Sequence, residues 1–434
     1  MFLGGVPQGT ASSTPLTLTI IDAINRGLAH NLGLLNTAEG ASRARGEKLR
    51  ALADLLPNVH GRVSETRQVL NLEAFGFPLP VGFPSIVGPF NVFDARVFLS
   101  QSVLDLRAIN ANKAEQHNVA AAEYSIRTAR DIVVLVSANL YLQALAASAR
   151  AESAQAQVRS ADAIFQQATD MKASGVVAGI EVLRAEVQLS TEKQRATAAA
   201  NEFEKAKLQL ARTIGLPIGQ AFSLVSELPF VPAPDITLDA ALDTAYKTRP
   251  DYQAALERVK AAEASLDAAN GELLPSVHVN ADYGALGLTP GDAHGTYAIV
   301  GAVTVPIFNG GRSRGRIAEA ESELRQRRAD AEDLKASIYY DLKLAFLDLQ
   351  ATREQFDVAT RSRELAAQQL TQARDRFVAG VTTNVEVVQA QEAVAQANEQ
   401  YISALYGYNV AKALLARGLG VAEEAARQYL GGNR

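Results

Sequence analysis

One long unit is written twice along this chain, and that repetition constrains the fold more than any single motif. Leu210-Ala211-Arg212-Thr213-Ile214-Gly215 returns 205 positions later as Leu415-Ala416-Arg417-Gly418-Leu419-Gly420. At the same offset Gly175-Val176, Glu181-Val182 and Ala185 return as Gly380-Val381, Glu386-Val387 and Ala390. Leu55-Leu56-Pro57-Asn58-Val59-His60 matches Leu273-Leu274-Pro275-Ser276-Val277-His278, and Leu16-Thr17-Leu18 matches Ile236-Thr237-Leu238. The offset drifts from 220 through 218 to 205, so the halves differ by a few insertions and keep one order of elements. Copies of about 200 residues indicate a duplicated fold rather than a solenoid of 20–50-residue units. The boundary is expected near residue 232, giving repeats 1–232 and 233–434 with a linker closing the first and a C-terminal tail closing the second.

Within each half the punctuation predicts a fixed succession. An amphipathic helix runs from about Thr19 to Leu55, and its counterpart from about Asp239 to Leu273. Each stops at a proline (Pro57, Pro275), because the residue before proline is pushed into extended conformation. Alternation follows. Val277, Val279, Ala281 and Tyr283 interleave with Ser276, His278, Asn280 and Asp282; Val59, Gly61 and Val63 interleave with His60, Arg62 and Ser64. A second strand has Phe93, Ala95, Val97 and Leu99 against Asp94, Arg96 and Ser100, with Phe98 breaking the pattern. Strands are thus expected at about 58–66, 91–102, 276–284 and 296–305, with one apolar and one polar face, the alternation being weaker in the last. The loop from about Leu70 to Phe90 is rich in Phe, Pro and Gly, and Phe75, Phe77, Phe83 and Phe90 would suit a membrane interface.

Each half then holds a very long helix, about Ile109 to Lys172 and Arg314 to Phe377. At about 1.5 Å per residue such a helix reaches roughly 95 Å, longer than a globular core requires. A turn at Gly175 or Gly380 reverses the chain into a second helix, about Gly179 to Arg212 and Asn384 to Arg417. In the last of these Val387, Ala390, Val394, Ala397, Tyr401, Ala404, Tyr408 and Ala411 step alternately by three and four, a coiled-coil seam. Its expected partner is the stripe Leu370, Ala373 and Phe377. Ala/Glu/Gln/Arg/Leu-rich composition over these stretches agrees with extended helices.

Composition excludes several functions. The chain has no cysteine, so thiolate metal sites, disulfides and a lipidated N-terminal cysteine are absent from this sequence. With 42 basic against 47 acidic residues the net charge is −5, which disfavours a nucleic-acid partner. Five histidines (His30, His60, His117, His278, His294) are scattered, and no nucleophile elbow, phosphate loop or metal-spaced carboxylate set is found. The expectation is a protein without enzymatic activity, cofactor or metal. Ile132 to Ala149 is uncharged over 18 residues, the lower limit for a membrane-spanning helix. The equivalent window, Ser337 to Glu354, carries Asp341, Lys343, Asp348, Arg353 and Glu354, so a helix buried among helices is expected instead. Met1 to Val6 lacks the charged start and apolar core of a signal peptide. An exported protein would therefore carry this sequence as a processed or engineered mature form.

Four two-faced strands cannot close a barrel, which needs about eight. An open set would leave edges unsatisfied in lipid. Either several chains share one barrel or the strands form a soluble sheet. Three chains would supply twelve strands and twelve long helical segments, favouring a homotrimer.

At this point the chain resembles the TolC-like outer-membrane efflux protein family over essentially its whole length. The resemblance rests on the two-fold repeat, the Leu-Leu-Pro before each strand pair, and Pro306-Ile307-Phe308-Asn309-Gly310-Gly311, similar to the family's Pro-Leu-Phe-Asp-Gly-Gly signature at the barrel-to-helix junction. The pattern Gly-Val-x-x-x-x-Glu-Val-x-x-Ala at Gly175 to Ala185 and Gly380 to Ala390 is also family-like. It implies a mainly α fold with a membrane β-barrel, in which a trimer forms a 12-stranded barrel continued by a helical barrel. It further implies an outer-membrane exit duct of a tripartite efflux pump or type I secretion system in a Gram-negative bacterium. Such a duct docks a periplasmic adaptor (membrane fusion) protein and, through it, an inner-membrane transporter. Adaptor contacts would fall at Ala173, Ser174, Gly175 and Val176 and at Ala379, Gly380, Val381 and Thr382. The family's closed aperture is ringed by acidic residues near the second tip. Glu386 falls on the first of those positions and Gln389 on the second, a departure that implies a weaker constriction; Glu386 facing the lumen and Glu386 on an ordinary solvated face are both open. The first-half equivalents are Glu181 and Arg184, and Arg184 could pair between helices to hold the tip shut. Arg312, Arg314 and Arg316 read as a solvated basic patch, with lipid phosphates as the other reading. A soluble periplasmic coiled-coil adaptor or scaffold is the alternative function; it would share the helices but not need the two-faced strands.

Overall fold

Both Leu-Leu-Pro stops lie between a helix and a strand. The computed structural model describes residues 2–76, 80, 82–225, 230–233, 235–379 and 381–429. Its elements run β1 (Leu16–Leu18), α1 (Ile20–His30), α2 (Leu32–Ala53), β2 (Asn58–Asn71), β3 (Ile86–Leu104), α3 (Leu106–Ala173) and α4 (Gly179–Thr213). After β4 (Phe222–Leu224) come α5 (Leu238–Thr248), α6 (Pro250–Gly271), β5 (Ser276–Gly287), β6 (His294–Thr304), α7 (Arg312–Val378), α8 (Asn384–Gly418) and α9 (Ala422–Tyr429). Two compact units share these elements. The first comprises Met1–Gly40, Glu123–Ala254 and Glu332–Arg434; the second comprises Ala41–Ala122 and Ala255–Ala331.

Two helices expected to be continuous are broken. Asn31 leaves helical geometry (φ −68°, ψ 125°) between α1 and α2. Its Nδ2 donates to the Phe2 carbonyl at 2.7 Å, and its Oδ1 accepts the Gly33 N–H at 2.9 Å, so the amide caps the restarted helix. The second break has a plainer cause. Arg249 precedes Pro250 and is extended (φ −62°, ψ 116°), as steric clash with the proline ring requires. Pro250 therefore opens α6 where its missing N–H costs nothing. The starts are also specified locally. Thr19 caps α1 in a reciprocal box with Asp22, and Thr237 caps α5.

The first unit contains two equivalent cores. Leu18, Ile20, Ala23 and Ile24 pack on Val134, Ala138, Tyr141, Leu142 and Leu145 of α3, on Leu210 of α4 and on Ile214 at its C-cap. In the second half Ala241 and Ala245 pack on Ile338, Leu342 and Ala345 of α7, on Leu415 of α8 and on Leu419 at its C-cap. The uncharged window at Ile132 to Ala149 is thus the spine of a protein core, with Tyr141 fully buried and its hydroxyl donating to the Leu18 carbonyl at 2.9 Å. A third cluster lies near the helix ends. Ala373 and Phe377, with Leu370 against them, meet Val387 and Ala390 as the stepped seam predicts, and Ile164, Ala168 and Ala185 complete the cluster. Further along the seam Phe356 and Ala359 of α7 meet Ala404 and Leu405 of α8.

The second unit is built on a four-stranded antiparallel sheet in the order β2-β3-β5-β6. Register is continuous from Val59↔Leu99 and Leu99↔Ala281 to Ala281↔Ile299. The arms of the first hairpin extend beyond the alternating core, pairing as far as Asn71↔Ile86 past a bulge at Gln68/Leu70, so the connecting loop is shorter than expected. Backbone pairing continues there after the strict alternation has ended. Phe83 is exposed, whereas Phe77 lies outside the described residues.

Candidate channel wall and docking tips

The sheet of the second unit has its polarity reversed relative to a soluble sheet. Side chains on the apolar face stand in the open: Val63 is 74% exposed, Tyr297 75% and Ile299 72%. On the polar face the sheltered part is a charged cluster at the centre of β3 and β5. Arg96 (27% exposed) binds Asp94 and also Asp282 across the β3–β5 register at 3.1 Å, both carboxylates being 18% exposed. Gly284 lies opposite Arg96, and a Cβ there would collide with the Arg96 chain. Phe98, the exception in the alternation, sits on this polar face. His60, its register partner, stacks on the ring at 5.2 Å, and the Arg62 and Arg96 guanidiniums lie 5.5 and 5.4 Å from its centroid. Guanidiniums over an aromatic face account for an apolar ring on a wet wall. Strands β2 and β6 end the sheet, leaving two unpaired edges among the described residues.

Below β6 the chain turns into α7 through the Pro306–Gly311 segment. Gly310 and Gly311 have φ of 67° and 85°, so two consecutive left-handed residues make the turn and a side chain at either would be strained. Asn309 Nδ2 donates to Ser313 Oγ at 2.5 Å, Ser313 donates to Glu272 at 3.3 Å, and Arg316 pairs with Glu272. The junction is thereby tied to the end of α6. At the base of the sheet a polar cavity of about 430 Å³ is lined by Asp54, Ser100, Asp105, Arg107, His278 and Asn280 among others.

In the first unit the tips are tight reversals. Gly175 has φ 76°, its N–H donates to the Lys172 carbonyl at 3.0 Å, and Val176 N–H donates to Met171 at 2.8 Å. Ser174, Gly175 and Val176 are exposed, as is Val381. Gly380 lies outside the described residues. Glu386 is held from two sides: Arg376 of α7 donates to it at 2.8 Å and Thr382 Oγ1 contacts it. Gln389 is exposed one turn further. Arg184 bonds Glu181 at 2.7 Å three residues back on α4, so this pair lies within one helix and does not link two. The link between helices is made deeper. Arg195 of α4 donates to Glu192 at 2.9 Å and to Glu392 of α8 at 2.8 and 3.0 Å, while Gln188 donates to both carboxylates at 2.9 and 3.1 Å. Burial pushes the Glu192 carboxyl up, against the pull of Arg195.

Two further polar sites in this unit escaped the sequence. Arg130 grips Glu423 of α9 with bonds of 2.9 and 3.1 Å. Beside them burial, with Glu423 and Asp251 adding negative charge, pushes Asp131 up to about 6. The linker after β4 is strapped onto α7 and α8. Phe230 stacks on Phe356 and Tyr408 at 4.6 and 5.5 Å, Tyr408 Oη accepts the Ala233 N–H at 2.8 Å, and Lys412 donates to the Val231 carbonyl at 2.9 Å. Burial pushes Lys412 down to about 8. No group of three or more His, Asp or Glu residues placed to hold a metal occurs among the described residues.

Comparison with known proteins agrees with this geometry. The outer membrane efflux protein family model matches residues 23–216 and 241–421. The pyoverdine export outer membrane protein OpmQ of Pseudomonas putida is 24% identical over 392 residues, covering 87% of this chain and 80% of that one. Its counterpart in Pseudomonas aeruginosa is 30% identical over 330 residues, 74% of this chain and 68% of that one. Among solved structures, the CmeC outer membrane channel of Campylobacter jejuni superposes with a TM-score of 0.81 at 18% identity, over 93% of this chain and 86% of that one. The open-state MtrE outer membrane channel of Neisseria gonorrhoeae gives 0.80 at 18% identity, over 96% and 95%. With the family model covering most of both halves and the same fold in these channels, the chain belongs to the outer membrane efflux protein family.

Proposed function

We propose that three copies of this chain form one exit duct in the outer membrane of a Gram-negative bacterium. The observation that carries the proposal is the sheet of the second unit: exposed Val63, Tyr297 and Ile299 on one face, an ion-paired Asp94–Arg96–Asp282 cluster on the other, and two edges unpaired among the described residues. Four strands per chain reach barrel size only when copies share the sheet, and three give twelve strands. Joining β6 of one copy to β2 of the next would satisfy every edge, as a bilayer demands. A soluble scaffold would have no use for exposed Val63, Tyr297 and Ile299 beside a sheltered Arg96.

In this reading residues 1–232 and 233–434 are the two structural repeats. The tips at Ser174, Gly175 and Val176 and at Gly380, Val381 and Thr382 are the surfaces for a periplasmic adaptor, which connects the duct to an inner-membrane transporter. Glu386, Gln389, Glu181 and Arg184 lie where the lumen would narrow. Arg376 and Arg184 bond the two glutamates, so each copy adds little net charge to the ring, consistent with a weak constriction. Pro306, Asn309, Gly310 and Gly311 join barrel to helices. The duct works by passage and not by catalysis, needing neither cofactor nor metal. The test is the detergent-corrected mass by sedimentation equilibrium, followed by conductance in planar bilayers. A particle of three 46.2-kDa chains that conducts supports the duct; a detergent-independent monomer or dimer from folded protein overturns it.

A further inference from the structure

We infer that Ile307 and Phe308, with Arg312 and Arg314, form an anchor for lipid headgroup phosphates at the periplasmic border of the membrane. This rests on the duct reading and adds a lipid-binding site to it. Ile307 is 95% and Phe308 90% exposed, although both precede a turn fixed by Gly310 and Gly311. Adjacent Ile and Phe side chains this exposed gain free energy when an apolar phase covers them.

Their place along the strand identifies that phase. Outward residues of β6 are the odd-numbered ones, Tyr297, Ile299 and Val303, and beyond the end of the strand the exposed apolar run continues through Val305, Ile307 and Phe308. Tyr297 to Val303 covers roughly 20 Å along a strand, or about 15 Å across the membrane at a tilt near 40°. An outer-membrane apolar band is about 25 Å tall and bordered by aromatic girdles. With the Tyr283–Tyr297 pair at one border, the band extends past the end of β6 onto Val305, Ile307 and Phe308. Phe308 then stands at the second border.

Charge completes the argument. Helix α7 begins with Arg312, Arg314 and Arg316 and has no acidic residue in its first turn. Cations at a helix N-terminus face the positive end of the macrodipole. Glu272 answers Arg316, but Arg312 and Arg314 are exposed and have no carboxylate partner among the described residues. At the first-half junction the corresponding cation is answered within the chain, Arg107 pairing with Asp105 at 3.4 Å. Two unanswered guanidiniums directly below an apolar finger match an interface of acyl chain and phosphate. These residues therefore do more than solvate the surface.

The chain has no tryptophan, so one introduced indole reports its own surroundings. Phe308→Trp and, separately, Tyr297→Trp would be reconstituted in vesicles of phosphatidylglycerol and phosphatidylcholine, with lipids brominated near the headgroup or near the acyl terminus. The anchor predicts blue-shifted emission for Phe308→Trp, quenched more strongly by the headgroup-proximal bromines. Adding Arg312→Gln and Arg314→Gln should reduce the enrichment of phosphatidylglycerol retained on the purified protein to that of the bulk vesicle. Quenching at Tyr297→Trp without quenching at Phe308→Trp overturns the anchor and leaves the duct standing. In that case blue emission would mean that a second copy covers the finger, and red emission that water does. Absence of quenching at both positions overturns the duct reading itself. Unchanged phosphatidylglycerol enrichment after removal of both arginines overturns the headgroup assignment.

Discussion

Replacing Arg195 with leucine should loosen the helix pair α4–α8 above the tip by a predictable amount. In the native arrangement one guanidinium serves two carboxylates on different helices, and Gln188 bridges the same pair. Its removal leaves Glu192, only 4% exposed, and Glu392, 42% exposed, facing each other with no cation between them. Breaking a fully buried pair costs about 3–5 kcal/mol. Arg195 and Glu392 are each nearly half exposed, so solvent screens much of that, and the expected loss is about 2 kcal/mol. Local opening then becomes about 30-fold more frequent. Hydrogen–deuterium exchange of amides in 185–200 and 387–400 reads this directly, with the α1–α3 core as an internal reference. Burial already raises the Glu192 carboxyl, so the defect should shrink as pH falls and Glu192 takes a proton. The companion Glu192→Gln in the same background should restore most of the protection at pH 8. Unchanged exchange in Arg195→Leu, or a defect that Glu192→Gln leaves intact, would refute a charge-based clamp and assign the cohesion to the small-residue seam alone.

Two further outcomes follow from single sites. Asp131 titrates near 6 in the folded protein, well above an unfolded carboxylate. The folded state therefore binds more protons between about pH 4 and 6, and stability falls as pH rises through that window. Asp131→Asn should raise stability at pH 8 by about 2 kcal/mol, allowing for partial exposure, and change little at pH 4; an equal gain at both pH values would sink the burial argument. Gly311→Ala and Gly315→Ala should move the melting temperature in opposite directions. No atom lies within 4 Å of a Cβ at either site, but only Gly311 has positive φ. The first should cost about 1–2 kcal/mol and the second gain about 0.5–1; shifts of the same sign would show that packing, not backbone geometry, governs the junction.

What the chain declares by itself is whatever repeats or alternates. Leu-Leu-Pro marks both helix-to-strand switches because proline's ring restricts its neighbour regardless of tertiary context. The two-residue period of β2, β3 and β5 and the alternating three-and-four steps of α8 were legible because each is a geometric property of one element. The Arg249–Pro250 break carries the same kind of signal, since proline restricts the residue before it. Asn31 does not, since the second half of its amide bonding goes to the Phe2 carbonyl, which only the folded chain brings beside it. Nor could periodicity tell that the apolar face of the sheet is the exposed one. Alternation fixes that two faces differ, and only the fold decides which is sheltered, here through Arg96 reaching Asp282 nearly two hundred residues away. Phe98 looked like an error in the pattern until His60, Arg62 and Arg96 surrounded its ring. The Arg376–Glu386 bond and the Arg195 clamp were invisible for the same reason: long side chains choose partners by proximity in space, which a linear pattern does not encode. Local sterics and periodicity thus wrote the elements into the sequence, while charge pairing and the sidedness of the wall were decided by the assembled backbone.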